Sequence, residues 1–182
     1  MRPTNTSRFT VALTLLAATV ALAGWSKTGD AKANFTGKGP AGFKIEGTTK
    51  ALDVKDDGTT LTVIVALKDL ETGIALRDNH MRNKYIEVDK FPEATLAVKL
   101  ADLKEPADGK TASGSAKGTF TLHGVSKDAS FKYVIACKGS TCKVKGEAEV
   151  NFNKHGIKVP SYMGITVKPD IKVGAEFQLK KG

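Results

Sequence analysis

From about Asn34 onward, apolar and polar residues alternate along the chain, and turn residues interrupt the alternation at nearly regular intervals. In Leu61–Lys68 the odd positions are all apolar, whereas the even series ends on Lys68. Side chains point to opposite faces of a strand in turn, so one face of this segment is apolar and the other faces water. Turn sequences such as Asp56-Asp57-Gly58 and Lys138-Gly139-Ser140 separate such segments. The pattern predicts an all-β fold.

The alternating segments number about eight, which favours one antiparallel β-barrel, with a two-sheet sandwich as the alternative. The predicted strands are Phe35–Gly47, Thr48–Val54, Leu61–Lys68, Leu96–Leu103, Ala116–Leu122, Phe131–Cys137, Lys143–Phe152 and Ile171–Lys180. The predicted inward-facing residues are Phe43, Leu61, Val63, Val65, Leu67, Leu96, Val98, Phe120, Leu122, Phe131, Tyr133, Ile135, Val150, Phe152 and Phe177. Their mixture of large and small side chains, taken alone, favours a filled interior over a hollow one.

The alternation is lost in Asp69–Phe91, between the third and fourth predicted strands. In this stretch Ile74, Arg77, Met81, Tyr85 and Val88 recur at helix-like spacing, which predicts a short helical excursion across a barrel edge or mouth. No internal repeat or long linker divides the chain. We therefore expect a single domain.

The first residues have the pattern of an export signal. Arg2 and Arg8 precede the apolar run Phe9–Leu22, which ends in the small-residue sequence Ala21-Leu22-Ala23. This pattern predicts a cleaved signal peptide over residues 1–23 and a mature domain over residues 24–182. Trp25 stands where a lipoprotein would carry a cysteine. We expect a soluble periplasmic protein.

The charge of the chain favours anionic partners. The formal net charge is +9, and loss of the two arginines before the cleavage site leaves +7, since no acidic residue precedes Asp30. Anionic membrane surfaces are partners of this kind. The lysines are scattered and form no dense basic run, and export also argues against nucleic acid.

Two cysteines, Cys137 and Cys142, flank the turn in CKGSTC. In an oxidising compartment such a pair predicts a structural disulfide that closes a hairpin. The chain-entropy estimate for so short a loop is about 2 kcal/mol of stabilisation. A redox role would favour the tighter C-x-x-C spacing.

Two further segments carry a family resemblance. Arg77–Pro92 reads RDNHMRNKYIEVDKFP and Gly118–Lys127 reads GTFTLHGVSK. Both resemble recurring stretches of the YceI-like family of bacterial lipid- or polyisoprenoid-binding proteins, and they occur in the family's order. The resemblance implies an eight-stranded, lipocalin-like barrel that encloses a long apolar ligand. The resemblance therefore predicts a cavity, whereas side-chain size alone favours a filled interior.

Polar residues near the helical excursion are candidates for binding a ligand's head group. Arg77, His80 and Arg82 lie within one and a half helical turns, and arginine can clamp a phosphate or carboxylate through two parallel hydrogen bonds. The alternative is that Arg77 pairs with Asp78 or Glu87 and fixes the loop to the barrel.

Three other positions have weaker assignments. His123 precedes Gly124 in a turn, where it has a structural role or reaches the pocket rim. His155 has no acidic or histidine neighbour at ligand spacing and is predicted to lie on the surface. Tyr162 and Met163 are predicted to close the far end of the barrel.

These observations favour a non-catalytic carrier or store of a long-chain amphiphile: a polyisoprenoid, an isoprenoid quinone or a fatty acid. The protein is a monomer or a homodimer on this interpretation. The alternative is a structural or stress-response envelope protein that has a packed barrel and acts through its basic surface. A hydrolase with a serine nucleophile is less favoured because the chain lacks a G-x-S-x-G motif. A metal-dependent enzyme is less favoured because the three histidines are far apart in sequence. We expect neither a metal nor any cofactor besides the bound lipid.

Overall fold

The structure is a computed structural model that describes residues 24–162 and 165–182. The predicted signal peptide, Met163 and the side chain of Tyr162 lie outside this description. The strands are β1 Trp25–Lys38, β2 Lys44–Thr49, β3 Leu52–Asp56, β4 Thr60–Ala66, β5 Glu93–Lys99, β6 Thr111–Leu122, β7 Val125–Lys138, β8 Thr141–Asn151, β9 Ser161–Tyr162, β10 Ile165–Thr166 and β11 Asp170–Lys181. Short 3₁₀ turns occupy Pro40–Gly42, Leu100–Asp102 and Phe152–His155.

Nine of these strands form one antiparallel sheet that curls into a nearly closed barrel. Their order is β2-β1-β11-β8-β7-β6-β5-β4-β3, and β9 and β10 form a separate hairpin. The two edge strands are consecutive, because β2 continues into β3 after Lys50 and Ala51. β1 pairs with β2 and packs beside β3, and the Trp25 N–H donates to Asp56 Oδ2 at 2.7 Å. The predicted all-β barrel is confirmed.

The strand count differs from the predicted eight because the first predicted strands are divided differently. Phe35–Gly47 is not one strand: β1 ends at Lys38, the chain reverses through Pro40–Gly42, and β2 begins at Lys44. Pro40 has no N–H to donate to a ladder, so a strand does not run through this position. The predicted strand Thr48–Val54 contains the break between β2 and β3. Together, β2 and β3 occupy one position around the barrel.

The predicted helical excursion is present between β4 and β5. It consists of α1, Ala75–His80, followed directly by a π-helix over Met81–Ile86. The π-helix ends at Glu87, which adopts a left-handed conformation with φ 52°. No helix in the described ranges is long and apolar enough to cross a membrane.

Because all neighbouring strands are antiparallel, the connections fall into two groups at opposite ends of the barrel. We call one the helical end; it contains residues 39–43, the helical segment 67–92, the turn 123–124 and the connection 152–169. We call the other the disulfide end; it contains residues 57–59, 100–110 and 139–140. The disulfide Cys137–Cys142 joins β7 to β8 there, as predicted.

Two clusters of buried apolar residues fill different halves of the molecule. The larger cluster lies towards the disulfide end and includes Phe131, Tyr133 and Leu179. The smaller cluster lies towards the helical end and joins Leu67 and Phe152 to residues of the helical segment.

The barrel cavity as a candidate ligand site

The barrel encloses a cavity of about 520 Å³. Ligand pockets in proteins commonly measure about 300 to 1,000 Å³, so this volume is sufficient for a small molecule or part of a lipid chain. The expectation of a filled interior, drawn from side-chain size alone, is wrong. Residue alternation gives the direction of each side chain but not the volume that remains between opposite walls.

Most of the predicted inward-facing residues lie in the wall of this cavity. The wall contains Phe43, Leu61, Val63, Val65, Leu67, Leu96, Val98, Phe120, Leu122, Phe131, Tyr133, Ile135, Phe152 and Phe177. Val150 is buried but lies outside this wall and lines a second, smaller cavity.

Phe43 reaches the cavity from an unexpected position. It follows the 3₁₀ turn instead of lying within a strand, and it is 46% exposed. Phe43 is therefore a residue of the cavity's edge and not of its interior.

The helical segment supplies wall residues that strand alternation cannot reveal. Met81, Tyr85 and Ile86 line the cavity from the π-helix. For Met81 and Tyr85, the helix-like spacing in the sequence was the available signal. Their placement makes the helical segment a cover over one end of the barrel.

Two glycines fix where large side chains lie inside the barrel. A Cβ built on Gly47 would stand 2.2 Å from the Phe35 ring, and one on Gly114 would stand 2.7 Å from the Tyr133 hydroxyl. Larger residues at these positions would displace the two rings. Gly47 and Gly114 therefore help to set the shape of the cavity.

Arg77 lines the cavity and is also part of a hydrogen-bond network around Thr72. Its Nε donates to Thr72 Oγ1 at 2.7 Å, and its Nη2 donates to the Thr72 carbonyl at 3.0 Å. Asp78 is 5% exposed and accepts hydrogen bonds from both the backbone N–H and the hydroxyl of Thr72. Arg77 thus contacts Asp78 through Thr72, while Glu87 pairs with other residues. The guanidinium has five N–H donors, so the network leaves Nη1 for a ligand.

His80 lies one helical turn beyond Arg77 and also lines the cavity. Within residues 24–162 and 165–182, its ring forms no hydrogen bond. An imidazole can donate and accept. His80 and Arg77 are therefore the two head-group candidates that the fold brings to the cavity.

The other two head-group candidates, Arg82 and His123, do not belong to the cavity wall. The Arg82 Nη1 donates to the carbonyls of Lys68 and Leu70 at 3.1 and 3.4 Å, which ties the π-helix to the first residues of the helical segment. His123 contacts Glu87 Oε2 through Nε2 at 3.0 Å, and its ring packs 4.3 Å from that of Phe91. Both residues hold the helical segment in place.

Glu87 is the carboxylate at the C-terminal end of the π-helix. Lys90 Nζ lies 2.6 Å from its Oε1, and hydrogen bonds from Lys90 and then from His123 hold the pKa of Glu87 below its usual range. The same contact raises the pKa of Lys90.

The surface prediction for His155 is wrong. This residue is 3% exposed, its Nδ1 lies 2.8 Å from the Val125 carbonyl oxygen, and its ring packs edge-on against Phe120. A 3₁₀ turn that begins after Asn151 directs the side chain inward. The lack of acidic neighbours in sequence therefore carried no information about burial.

The described residues contain no group of three or more His, Cys, Asp or Glu side chains that could hold a metal ion. The chemistry of the cavity wall is mainly that of a container for apolar groups, with Arg77 and His80 as polar groups at one end.

Comparison with known proteins identifies the family. The YceI-like domain family matches residues 26–179, which is nearly all of the described chain. The chain belongs to this family. A UPF0312 protein of Pseudomonas putida is 28% identical over 143 residues, covering 71% of this chain and 72% of that protein.

Solved structures show the same fold at low identity. A polyisoprenoid binding domain from Saccharophagus degradans, implicated in plant cell wall breakdown, is 14% identical with a TM-score of 0.73, and the match covers 88% of this chain and 99% of that one. Burkholderia cenocepacia BcnA is 16% identical with a TM-score of 0.63, over 81% and 95% of the two chains. The Campylobacter jejuni YCEI protein is 19% identical with a TM-score of 0.55, over 76% and 85%.

Proposed function

We propose that this YceI-like protein is a non-catalytic carrier or store of one long-chain amphiphile, such as a polyisoprenoid, an isoprenoid quinone or a fatty acid. The apolar cavity of about 520 Å³ inside the barrel is the observation that carries the proposal. The Saccharophagus degradans relative, described as polyisoprenoid binding, supports the same ligand class.

The apolar tail would occupy the barrel. Each methylene moved from water into an apolar site gains about 0.8 kcal/mol, so a long tail needs no specific polar contact for substantial affinity. A wall of leucine, valine and phenylalanine side chains supplies this environment. Selectivity among tails would follow from the length and width of the cavity.

The head group would lie beside Arg77 and His80. The Nη1 of Arg77 and the ring of His80 offer hydrogen bonds to a phosphate, a carboxylate or a quinone oxygen. Because the Thr72 network already orients Arg77, its guanidinium would lose little freedom on binding.

We further propose that the protein acts in the periplasm after removal of residues 1–23, as a monomer or a homodimer. The n-region arginines, the apolar run and the small-residue cleavage sequence support export. The disulfide agrees with an oxidising compartment. The packed-barrel alternative is disfavoured because the interior holds a cavity large enough for a ligand.

Native mass spectrometry tests the proposal directly. The mature protein should be purified from its own periplasm without detergent and measured before and after organic extraction. We expect a mass excess that disappears on extraction, and the extract then identifies the lipid. A clean apo mass that stays unchanged after exposure to quinone, isoprenoid phosphate and fatty acid would reject the carrier.

An arginine pair tests the head-group assignment. Arg77→Gln should weaken loading of an anionic lipid about tenfold or more, since hydrogen bonds to charged groups contribute about 1.5–3 kcal/mol. Arg82→Gln is the matched control, because Arg82 also anchors the helical segment but does not line the cavity. Equal losses in both variants would show that Arg77 acts only through the position of the segment.

A further inference from the structure

Exposed apolar side chains are concentrated at one edge of the cavity. In the described chain, four large hydrophobic residues are strongly exposed: Phe43 at 46%, Ile74 at 52%, Leu76 at 60% and Val134 at 43%. The first three line the cavity, whereas Val134 lies on the outer face of β7. We call Phe43, Ile74 and Leu76 the apolar rim.

The apolar rim is formed by two chain segments that lie side by side. Thr48 of β2 forms a two-way backbone bridge with Glu71, with hydrogen bonds of 2.8 and 3.1 Å. The bridge holds the start of the helical segment against β2, and Phe43, Ile74 and Leu76 all line the same cavity. Exposed apolar residues that cluster at a cavity entrance mark an interaction surface, whereas a single one such as Val134 needs no explanation.

Basic residues flank this rim. Lys38 and Lys44 face each other across the β1–β2 hairpin, and the backbone N–H of Lys168 donates to the Lys38 carbonyl at 2.7 Å. All three side chains are exposed. Glu46 and Glu71 are the acidic neighbours, so the lysines are in excess, as they are in the mature chain as a whole.

We propose that the apolar rim docks on an anionic lipid bilayer and inserts shallowly, so that an amphiphile passes between the membrane and the cavity without crossing water. Two features select this partner: the rim continues directly into the apolar cavity, and its flanking charge is complementary to anionic head groups. Insertion of apolar side chains together with electrostatic attraction is how peripheral proteins bind membranes. The role in exchange rests on the proposed function, but the docking itself does not.

Vesicle flotation measures the docking. The vesicles contain phosphatidylethanolamine and phosphatidylglycerol, and phosphatidylcholine vesicles serve as the neutral comparison. The triple variant Phe43→Ser, Ile74→Ser, Leu76→Ser should bind the anionic vesicles at least tenfold more weakly. Val134→Ser is the control, since it removes another strongly exposed apolar residue, one that lies on the outer face of β7 and outside the rim. Lys38→Gln and Lys44→Gln should each weaken binding to the anionic vesicles up to about fivefold. High salt should abolish this difference between wild type and the lysine variants, because it screens the electrostatic attraction.

A tryptophan placed in the rim reports insertion. The chain has one tryptophan, Trp25, which lies at the disulfide end beside Lys181. Its emission should not change when anionic vesicles are added. In the variant Trp25→Phe, Phe43→Trp, the emission should shift to the blue and be quenched by brominated lipids. This variant keeps an aromatic residue in the rim, so it also guards against a folding defect in the triple variant.

The outcomes separate docking from cargo. Docking is rejected if the triple variant and Val134→Ser bind vesicles equally, or if tryptophan at position 43 shows no shift. It is also rejected if sedimentation shows that the rim instead joins two copies of the chain and no vesicle binding occurs. Lipid loading is measured separately by mass spectrometry in vesicle-free buffer. A wild-type protein that carries lipid but ignores vesicles refutes the docking alone, whereas one that docks but never carries lipid refutes the proposed function alone.

Discussion

The two ends of this barrel are held closed by different forces. At the disulfide end, Cys137 and Cys142 link neighbouring strands, the Tyr133 hydroxyl accepts a hydrogen bond from the Lys104 N–H at 3.0 Å, and the Gly182 N–H donates to the Gly24 carbonyl at 3.0 Å. The helical end is covered by a non-strand segment that the Thr48–Glu71 backbone bridge and the contact between Glu87 and His123 join to the barrel. A covalent link holds two neighbouring strands together at one end, whereas the other end depends on non-covalent contacts that can break singly.

This difference indicates where a ligand would enter. Local opening takes place where few buried apolar contacts hold a segment and where its hydrogen bonds are close to solvent. The helical segment combines exposed apolar residues with the network around Thr72. We therefore expect opening at the helical end, and the following predictions test the contrast.

The largest contrast should come from two leucines. Leu179 is 4% exposed in the cluster near the disulfide end, whereas Leu76 is 60% exposed at the helical end. Leu179→Ala should lower the free energy of unfolding by about 2–5 kcal/mol, since it leaves a hole in packed surroundings. Leu76→Ala should change it by less than about 0.5 kcal/mol. Urea denaturation measures both, and equal effects would mean that the two ends are equally well packed.

Removal of the disulfide should have the next largest effect. The double variant Cys137→Ala, Cys142→Ala should lose about 2 kcal/mol of stability, mainly because the unfolded chain gains freedom. Backbone hydrogen exchange should increase across the β7–β8 hairpin and remain unchanged in the helical segment. Faster exchange throughout the helical segment would contradict the independence of the two ends.

The disulfide end was also easier to predict from sequence. The long strand near Phe177 alternates between apolar and polar residues, and the two cysteines flank a single turn, which left little choice of partner. Each signal there is local in sequence, so one strand and its turn contain the information.

The helical end was harder because its structure depends on contacts that are distant in sequence. Alternation placed Phe43 in a strand, whereas the preceding proline forces a turn. His155 is buried against Val125 and Phe120, which no local pattern signals. The family resemblance pointed to a cavity, whereas the residue pattern taken alone favoured a filled barrel. Head-group candidates could be placed on the helical segment, but only the three-dimensional contacts separate Arg77 from Arg82.

Removal of the Thr72 hydroxyl tests whether its hydrogen bonds to Arg77 and Asp78 hold the helical segment together. Thr72→Val keeps the shape of the side chain but removes the oxygen that connects Asp78 to Arg77. We expect a loss of about 1–2 kcal/mol, because buried Asp78 and Arg77 each lose a partner. Hydrogen exchange should increase in the helical segment and not at the disulfide end.

Thr72→Ser is the control for this variant, because serine retains the hydroxyl. It should restore most of the protection from exchange. If Thr72→Ser behaved like Thr72→Val, the lost methyl packing and not the hydrogen-bond network would explain the result.

The smallest effect should be the pH response of Glu87 at the end of the helical segment. Because its pKa is lowered in the folded state, by Lys90 first and then by His123, its ionised form is the one that stabilises the fold. This contribution is fully present above the pKa that Glu87 has in the unfolded chain and is lost as the pH falls through the lower folded-state pKa. Since the contact is exposed to solvent, salt should reduce it further.

Glu87→Gln is the matched variant for this measurement, since it keeps the left-handed backbone at position 87 and removes only the titrating group. The difference in unfolding free energy between wild type and Glu87→Gln should therefore shrink as the pH falls below the usual range of a glutamate. Hydrogen exchange in the helical segment should follow the same pH dependence, because His123 and Lys90 both act through Glu87. A pH response of equal size in Glu87→Gln would assign the effect to other carboxylates and leave the attachment of this segment to the Thr48–Glu71 bridge.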